Sequence, residues 1–277
     1  MLNFRQFLSG LISEGGNAIK TKTVSRIKRE HIDATIKKTV KALSKFGVSL
    51  AAVRPIGSTG KKADSGDIDL AVLTSPIAKA LKTSDLKTTM AELAKHIRNI
   101  YGEAHVAFGN TISFSVPIEG GEGYAQMDFM FTDDLERASF AYHAPAPAES
   151  AAGGAARNQL LMAIAMFHGD RNQDPTKTEF TRHWMDLISG RLHIGHESVK
   201  NGKRVIKDKQ PLSLSPDAIV KEILGREFSV SDAHSVESLY AALKKSRNFS
   251  PATKAAIITQ FKNSATKLKM PIPSSIK

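Results

Sequence analysis

The sequence predicts an α/β (α+β) protein: strands interleaved with helices, followed by a mostly helical C-terminal domain with a β-hairpin. Three observations predict it. Over residues 29–131 the apolar residues recur first at helical and then at strand spacing, in the order helix, strand, strand, helix, strand, strand. A stretch rich in Ala, Pro and Gly at 143–156, HAPAPAESAAGGAA, interrupts that pattern and divides the chain into domains at 1–145 and 146–277. Beyond it lie three further helical patterns and one Asn-Gly turn signal.

The elements follow in order. In residues 2–12, Phe4, Phe7, Leu8, Leu11 and Ile12 share one helical face, and Gly15-Gly16 ends the pattern. These apolar positions are periodic and Arg5 interrupts them, which argues against a secretory signal, and Arg is too sparse for a mitochondrial presequence. A second helix spans 29–46, with Ile32, Ile36, Val40 and Leu43 spaced by a helical turn. Strands follow at 48–56, 68–73, 104–117 with a break near Gly109, and 124–131, with a helix at 84–101 between the second and third. After the boundary come a buried helix at 159–167, a hairpin within 185–208 and helices at 216–224, 235–245 and 251–268. The tail from 270, with two Pro and two Ser, reads as frayed.

Composition narrows the function classes. The chain has 277 residues, 39 basic against 27 acidic side chains, a net charge of +12 and no Cys. The missing Cys excludes disulfides, a thiolate nucleophile and Cys-ligated zinc or iron–sulfur sites. The longest apolar run, from Leu160 to Phe167, is too short to span a bilayer, so the expectation is a cytoplasmic protein without a membrane partner. The charge is uneven: 1–150 carry a net +3 and 151–277 a net +9. Part of that excess is Lys200, Lys203, Arg204, Lys207 and Lys209 around the Asn201-Gly202 turn. Such a hairpin either tracks the phosphates of an acceptor or is a solvated edge that Lys protects from aggregation.

The chemistry sits in residues 54–74, RPIGSTGKKADSGDIDLAVLT. A strand ends in Gly57-Ser58, a short loop carries Lys61 and Lys62, and a second strand opens with Asp67-Ile68-Asp69. Strand alternation points Asp67 and Asp69 one way and Ile68, Leu70 and Val72 the other. Paired carboxylates repel unless a cation lies between them, and hard oxygen donors suit Mg²⁺ or Mn²⁺. Gly57 lets backbone approach a ligand, while Ser58 and nearby amides can donate to phosphate oxygens. In YAQMDFMF, residues 124–131, Asp128 is the one charge among core-like neighbours and requires a metal, a hydrogen-bond network or an exposed edge. If the two strands are adjacent, three carboxylates converge and can clamp two metal ions, with Asp128 placed to accept a proton. Taken singly, Gly-Ser turns and a strand-initial Asp are common polar caps; the order of the whole set gives it meaning.

Other readings are weaker. Gly60-Lys61 does not end a P-loop, because Pro55 stands where that pattern requires Gly and Lys62 where it requires Ser or Thr. His193 and His196 fall on opposite faces of a strand, which argues against a shared zinc. His168 reads as a helix terminus, and Trp184 as core rather than a base-stacking platform.

The segment IGSTGKKADSGDIDLAVL resembles the signature of the nucleotidyltransferase superfamily that includes DNA polymerase beta, CCA-adding enzymes, poly(A) polymerases and antibiotic nucleotidyltransferases. The resemblance covers about residues 30–135 and implies a small mixed sheet backed by helices, with Gly57 and Ser58 on the triphosphate. It also implies Asp67 and Asp69 on both metals, Asp128 as the third carboxylate, Mg²⁺ or Mn²⁺ as cofactor, and an NTP such as ATP or CTP as substrate. The sequence departs from the family in its short spacing between Ser58 and Asp67, and in Lys61 or Lys62 where the loop often has Arg. A second stretch, GAARNQLL with a following hairpin and a SVESLYAAL helix, is similar to nucleotidyltransferase-like proteins of tailed bacteriophages. It implies Arg157 and Asn158 facing the nucleotide, against the alternative of a surface or helix-end Arg157, and a host-cytoplasmic location. The expected activity is NMP transfer from an NTP to a hydroxyl, with the basic C-terminal half favouring a nucleic-acid 3′ end, RNA such as tRNA. The alternatives are nucleotidylation of a protein or small molecule, and a catalytically inactive basic nucleic-acid-binding or virion-associated protein.

Overall fold

The computed structural model describes residues 19, 23–106, 109–146, 150, 152–168, 179–187, 189–200 and 203–276. The helix expected at 2–12 and the Asn201-Gly202 turn lie outside the described residues. The chain has a mixed α+β fold and divides into two units, Met1–Ser139 and Phe140–Lys277, where composition had placed the boundary at 145/146. Among the described residues no helix is long and apolar enough to cross a membrane.

The first unit is built on a five-stranded sheet of order β2-β4-β7-β6-β5. Its strands are β2 (Val53–Pro55), β4 (Asp67–Leu73), β5 (His105–Val106), β6 (Thr111–Pro117) and β7 (Tyr124–Thr132). β4 and β7 are parallel and the other neighbours antiparallel, so the sheet is mixed. A separate ribbon pairs β1 (Ile27–Lys28) with β3 (Asp64–Ser65). One face of the sheet, with Ile68, Leu70, Val72, Ile112, Phe114, Met127, Phe129 and Phe131, is buried against helices α1 (Arg29–Leu43) and α3 (Leu86–Tyr101). The helices meet it through Ile32, Ile36, Val40 and Leu43 and through Met90, Leu93, Ala94 and Ile97. Phe114 and Phe129 meet edge to face at 5.0 Å, and each large apolar side chain buried here contributes roughly 1.5–3 kcal/mol. α3 starts where Asp85 accepts from the Thr88 amide at 2.9 Å and stops at Gly102, whose φ is +88°.

One local expectation needed correction, and two short helices come in addition to those expected. The strand expected at 48–56 shrinks to β2, because residues Leu50–Ala52 form a 3₁₀ turn and Pro55, without an N–H, suits only an edge strand. Helix α2 (Thr74–Leu81) follows β4 directly; its Pro76 lies in the first turn, where a missing donor costs nothing. Helix α4 (Leu135–Ala141) begins where Asp134 Oδ1 accepts from the amides of Glu136 at 2.8 Å and Arg137 at 3.0 Å.

In the second unit the expected hairpin belongs to a three-stranded antiparallel sheet, β8 (Glu179–Asp186), β9 (Arg191–Lys200) and β10 (Lys203–Pro211), in the order β10-β9-β8. Helix α5 (Gly153–Phe167) starts ahead of its expected bound and packs against β8, α7 (Val236–Lys245) and α8 (Pro251–Lys267). Its low amphipathicity fits a helix surrounded by neighbours, with Leu160, Leu161, Ile164 and Ala165 all fully buried. Helix α6 (Pro216–Leu224) is capped by Ser215, which accepts from the Ala218 amide at 3.2 Å.

Candidate metal centre

The parallel pairing of β4 with β7 sets Asp69 directly across from Asp128, and Asp67 across from Gln126. Asp67, two residues ahead of Asp69 on one strand, points to the same face. One carboxylate oxygen of each Asp lies within 4.8 Å of the other two. Because Ile68, Leu70 and Phe129 fill the opposite face, a one-residue slip of either strand would bury a carboxylate in the core; the apolar alternation fixes the site.

The loop before β4 is stitched to it. The Ile56 amide donates to the Asp69 carbonyl at 3.0 Å, and the Asp69 amide donates to Thr59 Oγ1 at 2.9 Å. Gly57 sits between them with φ +61°, and a Cβ there would stand 2.7 Å from Asp69 Oδ2. Only glycine therefore lets this backbone lie against the carboxylate. The Lys61 amide donates to the Ser58 carbonyl at 3.1 Å, which tightens the turn; Ser58 and Lys61 are partly buried and Lys62 is exposed. The far side of the loop is held by the residues that flank β1: the Arg26 guanidinium grips Asp64 Oδ1 at 2.6 and 2.8 Å, and Arg29 Nε donates to the Lys62 carbonyl at 2.9 Å.

Electrostatically the site is short of positive charge. Burial raises the Asp69 carboxyl well above its ordinary range, and repulsion from Asp67 and Asp128 raises it further. Asp67 is also raised by burial, against a lowering pull from Arg26. Asp128 is pushed up to about 6 by burial, eased by a hydrogen bond from Ser113, raised again by Asp67 and eased by Gln126. Gln126 Nε2 stands 3.1 Å from both Asp128 oxygens, an orienting contact for a ligand carboxylate. Three hard oxygen donors whose charged forms are disfavoured by one another fit a hard divalent cation, Mg²⁺ or Mn²⁺, which would reverse all three shifts.

No family model and no curated protein matches this chain.

The other expected site residues fall elsewhere. Arg157 and Asn158 are a correction: both are buried inside their unit, and Arg157 is neither at the surface nor at a helix end. Arg157 has no exposed surface, and its guanidinium donates to the carbonyls of Ala233 at 2.7 Å and Phe140 at 2.8 Å and to Asn158 Oδ1 at 2.7 Å, 4.4 Å from the Phe140 ring. Asn158 Nδ2 donates to the Ala141 carbonyl at 2.8 Å. Both side chains tie α5 to main chain of their own unit. Burial lowers the Arg157 pKa to about 9, which still leaves the group charged at neutral pH.

In the basic hairpin, Lys200 pairs with Lys203 and Val199 with Arg204, and the register shifts between Lys207 and Gln210. The side chains of Lys200, Lys203 and Arg204 lie outside the described residues; Lys207 and Lys209 are exposed. Lys209 Nζ lies 5.3 Å above the ring of Trp184, which is half-buried and stacks on His193 at 5.5 Å, so Trp184 is no core residue. Sequence reasoning also missed Thr59, Gln126, Ser113 and Arg26 around the carboxylates. Gln126 was within reach, since it sits two residues before Asp128 and so shares its face; Ser113 and Arg26 become neighbours only through strand pairing.

Proposed function

We propose that this protein is a metal-dependent nucleotidyltransferase that moves a nucleoside monophosphate from an NTP, such as ATP or CTP, to an acceptor hydroxyl. The observation that carries it is the convergence of Asp67, Asp69 and Asp128 within 4.8 Å beside a glycine loop packed on Asp69. Asp67, Asp69 and Asp128 hold Mg²⁺ or Mn²⁺. When bound, the metal offsets charge on the triphosphate and the departing pyrophosphate and acidifies the attacking hydroxyl. Gly57 and Ser58 present backbone and hydroxyl donors to the phosphate oxygens, and Lys61 and Lys62 add positive potential. Asp128, oriented by Gln126, accepts the proton of the acceptor hydroxyl; the acceptor oxygen bonds to the α-phosphorus as the bond from that phosphorus to the bridging oxygen of the β-phosphate breaks and pyrophosphate leaves.

The acceptor is a nucleic-acid 3′ end, RNA such as tRNA. The net +9 of residues 151–277 supports a polyanionic acceptor over a protein or small-molecule hydroxyl. The test is transfer of label from α-labelled NTPs to RNA, tRNA, DNA and protein. Wild type is expected to label RNA, whereas Asp67→Ala and Asp69→Ala lose roughly 100- to 1000-fold in rate while keeping the wild-type circular dichroism spectrum, the range that loss of one charge-stabilising group costs. Undiminished transfer by either variant removes the proposal, and label on protein or on a small molecule reassigns the acceptor. No transfer by wild type to any acceptor favours a nucleic-acid-binding protein without catalysis.

A further inference from the structure

A second cluster of metal-ligating side chains lies wholly within the unit Phe140–Lys277. We propose that His168, His183 and Glu222 bind a Zn²⁺ ion that ties three elements of this unit together. His168 ends α5, directly after Phe167, where its amide donates to the Ala165 carbonyl at 3.2 Å. His183 sits on β8, where Met185, two residues on and therefore on the same face, is buried, as is His183 itself. Glu222 lies in the last turn of α6, just before the buried Ile223 and Leu224. One ligand atom from each of the three lies within 4.8 Å of the others, and His168 Nε2 is 3.1 Å from Glu222 Oε1. Donors around a tetrahedral Zn²⁺ stand about 3.3 Å apart, given bonds of ~2.0–2.2 Å. The residues are thus near ligating distance, with the His168–Glu222 pair already at the spacing that a shared ion requires.

The donor set selects the metal. Two imidazoles with one carboxylate suit Zn²⁺, whereas the three carboxylates of the first unit suit Mg²⁺ or Mn²⁺, so the two sites sort different ions. The ion pair joins His168 to Glu222, and the buried His183 ring stands edge-on to His168 at 4.8 Å, so both imidazoles and the carboxylate are already gathered where one ion can be shared. Around them, Asn248 Nδ2 donates to the Glu222 main-chain carbonyl at 3.3 Å, and the Phe249 ring stands edge-on to His168 at 6.4 Å. The His168 and Glu222 side chains keep 17% and 46% of their surface exposed, which leaves an entry path and a fourth position for water.

The test uses the full chain, stripped by a chelator and titrated with Zn²⁺ against a chromogenic competitor in excess Mg²⁺. Wild type is expected to take up one Zn²⁺ per chain, and Asp69→Asn to take up the same. His168→Gln and Glu222→Gln, both at partly exposed positions, are expected to bind roughly 100-fold more weakly or worse, at or beyond the loss from removing an outer-shell partner. Co²⁺-loaded wild type is expected to show the visible spectrum of a four-coordinate ion and two strongly shifted imidazole N–H resonances, a readout that needs no variant. Equal Zn²⁺ affinity in wild type and both Gln variants, loss of Zn²⁺ from Asp69→Asn, or no shifted imidazole resonances overturns the proposal.

Discussion

Asp128 shows at the scale of one residue what the carboxylate site demands of the fold. Its pKa is held up at about 6, against roughly 3.9 in an unfolded chain, first by burial. Between about pH 4 and pH 6 the folded, metal-free protein retains a proton that the unfolded chain has already released. Stability therefore falls as pH rises through that window, and above pH 6 the whole penalty is present. Asp128→Asn removes the charge, so in chelator at pH 7 the variant is expected to be more stable than wild type by about 1–3 kcal/mol in urea melts. Near pH 4 the two should coincide, and Mg²⁺ at pH 7 should raise the stability of wild type more than that of the variant. A variant less stable than wild type at pH 7 would show that Gln126 and Ser113 contribute more through Asp128 than its burial costs. How much of this was legible differs by residue. The two-residue spacing of Asp67 and Asp69 on an apolar strand is visible in the sequence, and Asp128 stands out as a charge among Met127, Phe129 and Phe131. That these strands are neighbours, and that Thr59 and Ser113 complete the surroundings, depends on long-range pairing that no local pattern records.

Single elements were read well where one face is buried and poorly where the signal is short. α1 and α3 advertise themselves by apolar residues every three or four positions, β6 and β7 by alternation, and β4 by an apolar run that follows two alternating Asp. α2 and α4 have only eight and seven residues, too few turns for a period to emerge, although Pro76 and Asp134 are helix-start signals. Arg157 was misread for a different reason: a charged residue at the head of an apolar helix looks functional, and only the structure shows it serving main-chain carbonyls. Those bonds have a consequence for α5. Arg157→Met leaves the carbonyls of Phe140 and Ala233 without that donor in a dry environment, and each such loss costs about 1–3 kcal/mol. The variant is expected to destabilise the second unit by roughly 2–5 kcal/mol, and Arg157→Lys to recover little, since one ammonium cannot reproduce the fork. The only Trp, Trp184, lies in this unit, so its fluorescence during urea unfolding reports the loss directly. An unchanged midpoint in that melt would mean that the carbonyls find other donors.

Over the whole molecule the charges are unevenly divided. The carboxylates lie in the nearly balanced 1–150, while 151–277 carry the net +9. Phosphates bound by Lys and Arg release counterions, so affinity for single-stranded RNA falls with a log–log salt slope of about −0.7 per phosphate neutralised. If the five basic residues of the hairpin each engage one phosphate, the slope is about −3.5, and binding weakens roughly 100-fold between about 50 and 200 mM salt. Lys207 and Lys209, both exposed on β10, are the members to remove first. The double variant Lys207→Gln/Lys209→Gln is expected to flatten the slope by about 1.4, measured by fluorescence anisotropy of labelled RNA across a salt series. Asp67→Ala, whose effect belongs to metal and triphosphate, should leave the slope as it is. The two variants thus separate acceptor binding from chemistry. Wild-type affinity that stays constant across the series would mean that the acceptor is not a polyanion; an unchanged slope in the double variant would move the RNA path off the hairpin and onto the basic faces of α7 and α8.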